Sequence, residues 1–182
     1  STDAKELTDD MLHLHEKLEV GATDPYPVKN EEVAQKTKKY EEYFQNYIKA
    51  CGYYDLFIIC AKHGHVLYSA AKESDYGANL TSGSLKESGL AKVREMALQN
   101  NRPTFVDMAP YAPSNNEPAM FLATPVKVDG VVKAVVAFQI SDSAISKVMN
   151  QRVGYGKTQE DFLVGQDKLM RSDSFLRKET HS

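Results

Sequence analysis

Met120-Phe-Leu-Ala-Thr-Pro-Val-Lys-Val-Asp-Gly-Val-Val-Lys-Ala-Val-Val-Ala-Phe-Gln-Ile140 decides the fold class. Two runs rich in β-branched and aromatic residues, Met120 to Val128 and Val131 to Ile140, flank Asp129-Gly130. Both residues of that dipeptide accept the positive φ that a two-residue hairpin turn demands, so the runs pair as antiparallel strands. Immediately upstream, Thr104-Phe-Val-Asp-Met108 reads as a short strand, and Ala109 to Pro118 as a loop holding three prolines. Downstream, Ser141 or Asp142 caps a helix running to about Arg152.

Further from this hairpin the period changes. Leu85, Leu90, Val93, Met96 and Ala97 mark a helix that stops before Arg102-Pro103, and Ala71 to Gly83 is polar and turn-rich. Tyr54-Asp-Leu-Phe-Ile-Ile-Cys60 and Val66-Leu-Tyr-Ser69 are strands joined by the tight turn Lys62-His-Gly-His65. Two helices precede them. Leu7, Met11, Leu14 and Leu18 form one apolar stripe, which Gly21 and Thr23-Asp-Pro-Tyr-Pro27 break. Asn30 then caps a helix with Glu31 and Glu32 in its first turn, and Val33, Tyr40, Phe44, Tyr47, Ile48 and Cys51 recur at helical spacing until Gly52. The sum is α+β, an antiparallel sheet of five strands with helices packed on it. The absence of βαβ alternation argues against a Rossmann or P-loop enzyme.

The chain has 182 residues, room for one full-sized domain with helical appendages. Lys plus Arg (22) against Asp plus Glu (25) leaves a net charge of −3 without a basic patch, which argues against a nucleic-acid binder. Apolar residues at 42 % are too many for disorder, while no apolar run approaches the ~18 residues of a membrane span. The start at Ser1 and the ending Arg177-Lys-Glu-Thr-His-Ser182, which closes no element, suggest a piece excised from a longer protein. Cys51 and Cys60 lack C-x-x-C spacing, and Cys60 falls within a buried strand, so two inert thiols are expected rather than a bridge.

Several catalytic patterns match only in part. Gly156-Lys-Thr158 ends like a phosphate-binding loop, but Gln151 stands where the leading glycine belongs. His15-Glu16 begins a zinc-protease motif that Glu19 interrupts, and His13 and His15 lie on different sides of their helix. His63 and His65 flank a turn glycine, where solvated side chains are expected and no metal. Ser69-Ala-Ala-Lys72 has the spacing of acyl-transfer enzymes, yet Ser69 closes a strand where those enzymes start a helix. Asn79-Leu-Thr81 spells a glycosylation sequon, too short a pattern to carry weight. What remains is polar convergence. Lys72, Glu73, Asp75, Tyr76 and Asn79 share one loop, Asp107 ends a strand, and Tyr111, Ser114 and Asn115 share a second loop. Beside an apolar sheet such groups can build a small-molecule pocket; the same residue types also stabilise turns.

The run Gly52-Tyr-Tyr-Asp-Leu-Phe57, Tyr68, Lys72-Glu-Ser-Asp-Tyr-Gly-Ala-Asn-Leu80, Asp107, Tyr111-Ala-Pro-Ser114 and Pro118-Ala-Met-Phe121 resembles, in order and spacing, the Cache sensor domains of bacterial methyl-accepting chemotaxis receptors and sensor kinases. The resemblance spans roughly residues 40 to 175. Gly154 to Ser174 is similar to the segment with which such receptors enter a second, membrane-proximal module, although Gln159, Glu160, Asp161 and Phe162 replace its usual Gly-Glu-Thr-Tyr.

The resemblance implies an N-terminal helical stalk (1–52), a PAS-like sensing module (53–152) and a C-terminal segment (153–182) leading toward a second module or the membrane. It implies a periplasmic, non-enzymatic sensor with neither cofactor nor metal, signalling through its terminal helices and paired as a homodimer in the full receptor. Membrane contact would come only through segments outside this chain. The ligand-binding set it suggests is Tyr68, Lys72, Asp75, Tyr76, Asn79, Asp107, Tyr111, Ser114 and Phe121. The chain has no Trp, which removes the Arg-x-Trp-Tyr motif by which the amino-acid-binding branch holds a carboxylate. Amino acids are therefore not the expected ligands; a short carboxylate such as acetate, lactate or pyruvate, held by Lys72 and the tyrosines, is expected ahead of an amine, which would use Asp75 or Asp107. The competing expectation is a dimerisation or interaction module with a vestigial pocket, and an enzyme resting on Ser69 and Lys72 is a third.

Overall fold

A computed structural model describes residues 2–177, and at residues 2–5 and 7 the backbone alone. The side chain of Leu7 and the ending 178–182 therefore lie outside the described residues. Helices α1 (Thr2–Lys17) and α2 (Glu31–Cys51) precede strands β1 (Asp55–Cys60) and β2 (Val66–Ser69). Helix α3 (Gly89–Asn100), strands β3 (Thr104–Tyr111), β4 (Glu117–Val128) and β5 (Val131–Ser141), and helix α4 (Asp142–Met149) follow. The five strands form one antiparallel sheet in the order β2-β1-β5-β4-β3. This is the α+β arrangement expected from the chain.

Local chemistry sets the boundaries. Asn30 accepts from the backbone N–H groups of Glu32 and Val33 to start α2, and Gly52, at φ 75°, ends it in the left-handed conformation. Asp129 and Gly130 both take positive φ, as their hairpin requires. The expected boundaries miss at β3. Where a proline-rich loop was expected from Ala109, β3 continues to Tyr111, with Ala109 opposite Ala119 and Pro110 opposite Pro118. Because β3 is an edge strand, a proline there need not break a ladder. Helix α3 also starts later than Leu85, at a cap formed by the Ser88 side chain on the Ala91 N–H.

Two cores sandwich the sheet. On one face Met11, Leu14, Val33, Tyr40, Phe44 and Ile48 of α1 and α2 pack on Leu56, Ile58, Leu67 and Tyr68. On the other, Leu90, Val93 and Ala97 of α3 pack on Phe57, Ile59, Phe121 and Val135. The period-2 alternation of β1 thus serves both layers. Helices α1 and α2 run antiparallel, tied by Lys39–Glu6, Lys36–Asp10 and Lys17–Glu32 ion pairs at 2.7, 3.0 and 2.6 Å. Met11 and Leu14 of the apolar stripe are buried as α1's contact with the domain. Cys51 is exposed, Cys60 buried, and both are free thiols. Among the described residues no helix is long and apolar enough to cross a membrane.

Candidate functional site

The register brings Asp55, Gln139 and Phe121 into one transverse row, because Asp55 pairs with Gln139 and Gln139 with Phe121. The row lies on the α3 face, beside Phe57. Asp55 is buried and accepts from the backbone N–H of Leu56, Ala70 and Ala71 at 2.6, 2.8 and 3.0 Å and from the Ser69 hydroxyl at 2.8 Å. Burial pushes its carboxyl up to about 6 against the pull of those four donors. Asp55 thereby pins the start of the 70–80 loop to the end of the sheet. Ser69 is spent on this anchor: its Oγ donates to Asp55 and accepts from the backbone N–H of Lys72.

From that anchor the loop carries Glu73 and Asp75 back over the sheet toward the β3–β4 turn. The Tyr111 hydroxyl donates to Asp75 Oδ2 at 2.8 Å, and its ring packs edge-on against Phe121 at 4.9 Å. Ser114, in the short 3-10 turn Ala112–Ser114, donates to Glu73 Oε2 at 2.7 Å and accepts from Gln139 Nε2 at 2.9 Å. Tyr54 closes the cluster by donating to Glu73 Oε1 at 2.6 Å. Two buried acceptors here, Asp75 Oδ1 and Gln139 Oε1, lack a donor. Burial, reinforced by the charges of Asp55 and Glu73, pushes the Asp75 carboxyl up to about 7. Burial and the same carboxylates push the Tyr111 hydroxyl far above its usual range, so it stays a donor. A buried acceptor without a donor costs about 1–3 kcal/mol, so the cluster is built to receive hydrogen-bond donors.

Four of the expected site residues meet here: Asp75, Tyr111, Ser114 and Phe121. The others do not. Tyr68 pairs with Ile58 and faces Phe44 of α2, on the opposite side of the sheet, with its hydroxyl buried and unpartnered. The Lys72 ammonium turns outward to Glu41 at 2.5 Å, which also leaves the S-x-x-K pattern unassembled. Tyr76 hydrogen-bonds Thr37 of α2 at 3.2 Å. Asn79 is a turn residue: its Oδ1 accepts from Thr81 and Ser82, and its Nδ2 donates to the Ala22 carbonyl. Its buried, fully engaged amide excludes the sequon reading. Asp107 forms a two-pronged pair with Arg171 at 3.0 and 2.9 Å, and Asn115 closes the β3–β4 turn at φ 56°. Asp55 and Gln139 lie outside the expected set, although each is a polar residue at an inward position of an otherwise apolar strand. The expectation of solvated turn histidines also fails, since His65 is fully buried against His15 of α1.

Compared by sequence, the chain matches no family model and no curated protein. Compared by structure, it is similar to the sensory domain of the Campylobacter jejuni chemoreceptor Tlp3 (CcmL), at 13% identity and a TM-score of 0.55, with 94% of this chain and 61% of that one covered. The ligand-binding domain of the Pseudomonas fluorescens chemoreceptor CtaA in complex with L-serine matches at 16% identity and the same TM-score of 0.55, over 94% of this chain and 69% of that one. The Tlp3 ligand-binding domain in complex with L-norvaline matches at 13% identity and a TM-score of 0.55, covering 94% and 59%. The chain has the Cache-like fold of chemoreceptor sensory domains. At these identities the likeness is one of fold, and the Cache-like chain spans about three fifths of the Tlp3 domains it matches.

Proposed function

We propose that this chain is the extracytoplasmic ligand-sensing domain of a transmembrane chemoreceptor or sensor histidine kinase, without enzymatic activity, and that it binds a small primary amine beside Asp75 and Gln139. The observation that carries the reading is the pair of buried acceptors lacking donors, Asp75 Oδ1 and Gln139 Oε1, in a cluster that also holds the Asp55 and Glu73 carboxylates. An ammonium group supplies the missing donors and the compensating charge. The alternative of a short carboxylate needs Lys72 as its cation, and the Lys72–Glu41 pair takes that cation away. The similar domains solved in complex with L-serine and L-norvaline hold ligands that bear an ammonium beside a carboxylate; they agree with an amine ligand, and the choice between amine and acid rests on the site.

Binding draws the 70–80 loop and the β3–β4 turn together, since Asp75 belongs to one and Ser114 to the other. The movement passes through Tyr76 to α2 and on to the terminal helices, whose continuations outside this chain reach the membrane. In the full receptor two copies stand side by side. Isothermal titration calorimetry tests the site. An amine that binds the wild-type chain loses at least tenfold in affinity in Asp75→Asn, about 1.4 kcal/mol, and less in Tyr111→Phe. Unchanged affinity in Asp75→Asn places the ligand elsewhere. A chain that binds no small solute is instead a dimerisation or interaction module.

A further inference from the structure

Away from the amine site, on the far side of the β1–β2 turn, three histidines distant in sequence come together. His15 lies in the last turn of α1, while His63 and His65 flank Gly64. Gly64 takes φ 77°, and a Cβ there would meet Thr81 Cγ2 at 2.7 Å, so the turn that sets both rings toward α1 depends on glycine. His15 Nε2 stands 2.7 Å from His65 Nδ1, and one nitrogen from each of the three rings falls within 4.8 Å of the others.

The hydrogen-bond pattern orients these rings as ligands. His65 Nε2 lies 2.7 Å from the Asp24 carbonyl and 3.1 Å from Asn79 Nδ2; the carbonyl, the nearer of the two and an acceptor only, takes the Nε2 hydrogen and leaves the Nδ1 lone pair toward His15. Asn79 holds that carbonyl segment by donating to Ala22 at 2.8 Å and reaching Asp24 at 3.4 Å. A histidine whose outer nitrogen is fixed by a backbone carbonyl is the usual arrangement around a bound metal. His63 Nδ1 is buried without any hydrogen-bond partner.

We infer that His15, His63 and His65 form a site for a divalent transition metal of the zinc class, which clamps α1 to the β1–β2 turn. Three imidazoles suit zinc, copper or nickel rather than calcium or magnesium. Zinc–nitrogen bonds near 2.0–2.1 Å set tetrahedral ligands roughly 3.3 Å apart, so the His15–His65 contact opens by about 0.6 Å on binding. Without metal the His15 Nε2 hydrogen bonds His65, and metal binding requires that hydrogen to move to Nδ1. A cleft of about 420 Å³, lined by His15 and His63 together with Glu16 and Lys62, gives the ion its entry and leaves room for water as the fourth ligand. The sequence hid this site because the ligands come from two elements 50 residues apart.

The metal-stripped chain, titrated with zinc against a chromophoric chelator, takes up one equivalent, and cobalt(II) in its place gives the visible absorption of a four-coordinate site. His63 sits in the half-buried turn, so His63→Ala folds as judged by circular dichroism. It weakens zinc binding by at least the roughly 10–100-fold that loss of an outer-shell partner costs. Glu42→Gln, exposed on α2 and outside that cleft, leaves affinity unchanged. A folded wild-type chain that takes no zinc from the chelator overturns the site, as does unaltered affinity in His63→Ala. A thiolate-to-cobalt absorption band, which would make Cys51 or Cys60 the ligand, overturns it as well. None of these outcomes bears on amine binding, which uses the α3 face.

Discussion

Asp75 carries a pH signature with a definite sign. Its carboxyl is raised by burial from the ordinary carboxylate range to about 7, so between roughly pH 4 and 7 the folded chain holds a proton that the unfolded chain has released. Its contribution to stability is therefore fully present below about pH 4, declines as the pH rises, and levels off above about 7. Asp55, raised to about 6, adds a decline of the same sign that ends sooner. Urea unfolding at pH 5 and pH 8 should show the wild-type chain more stable at the lower pH, with a smaller difference in Asp75→Asn; an equal difference in both proteins means that Asp75 is not the group. At this scale the sequence was legible in part. Asp75, Tyr111, Ser114 and Phe121 stand out as loop polars and a strand aromatic. Lys72 and Asp107 look equally suitable but are claimed by Glu41 and Arg171, partners 31 and 64 residues away that local spacing does not reveal.

Among the elements, α1 and the C-terminal hairpin make the sharpest predictions. The apolar stripe of α1 was visible at once, but whether it met the domain or a second copy was not. With Met11 buried in the core shared by α2 and the sheet, Met11→Ala should cost about 2–5 kcal/mol in chemical denaturation. A cost under about 1 kcal/mol would mean that α1 is a detached stalk. At the other end Val164 bridges Met170, and Arg171, itself buried, reaches back to Asp107 on β3 and to Asp167. Because both carboxylates are half exposed, the pairs contribute little to global stability. Arg171→Ala should shift the unfolding midpoint only slightly while speeding limited proteolysis between residues 150 and 170; unaltered cleavage would show that the hairpin is held by other contacts. The Asp129-Gly130 hairpin and the N-cap at Asn30 were readable because turn and cap chemistry is local. The continuation of β3 through Pro110 was not, since the tolerance for proline comes from being at the sheet edge, a property of the assembled sheet.

Taken whole, the molecule is a sheet with a helical hairpin on one face and a buried acidic cluster on the other, joined at the 70–80 loop. That loop touches both faces: Asp75 meets Tyr111 on the α3 side, and Tyr76 meets Thr37 of α2 on the other. A ligand held at Asp75 can shift the terminal helices only by its differential affinity for two loop arrangements, typically a coupling of ~1–3 kcal/mol. The net charge of −3, which argued against nucleic acid, suits a small cationic solute. Thermal unfolding of the wild-type chain in a panel of primary amines and of short carboxylates lacking an amine is the most direct test. At 100 times its dissociation constant a ligand stabilises by about 2.7 kcal/mol. An amine-sensing domain gives that shift with one or more amines and none with the simple acids, and the shift disappears in Asp75→Asn. A shift produced by the acids alone, or by no compound in the panel, would contradict it.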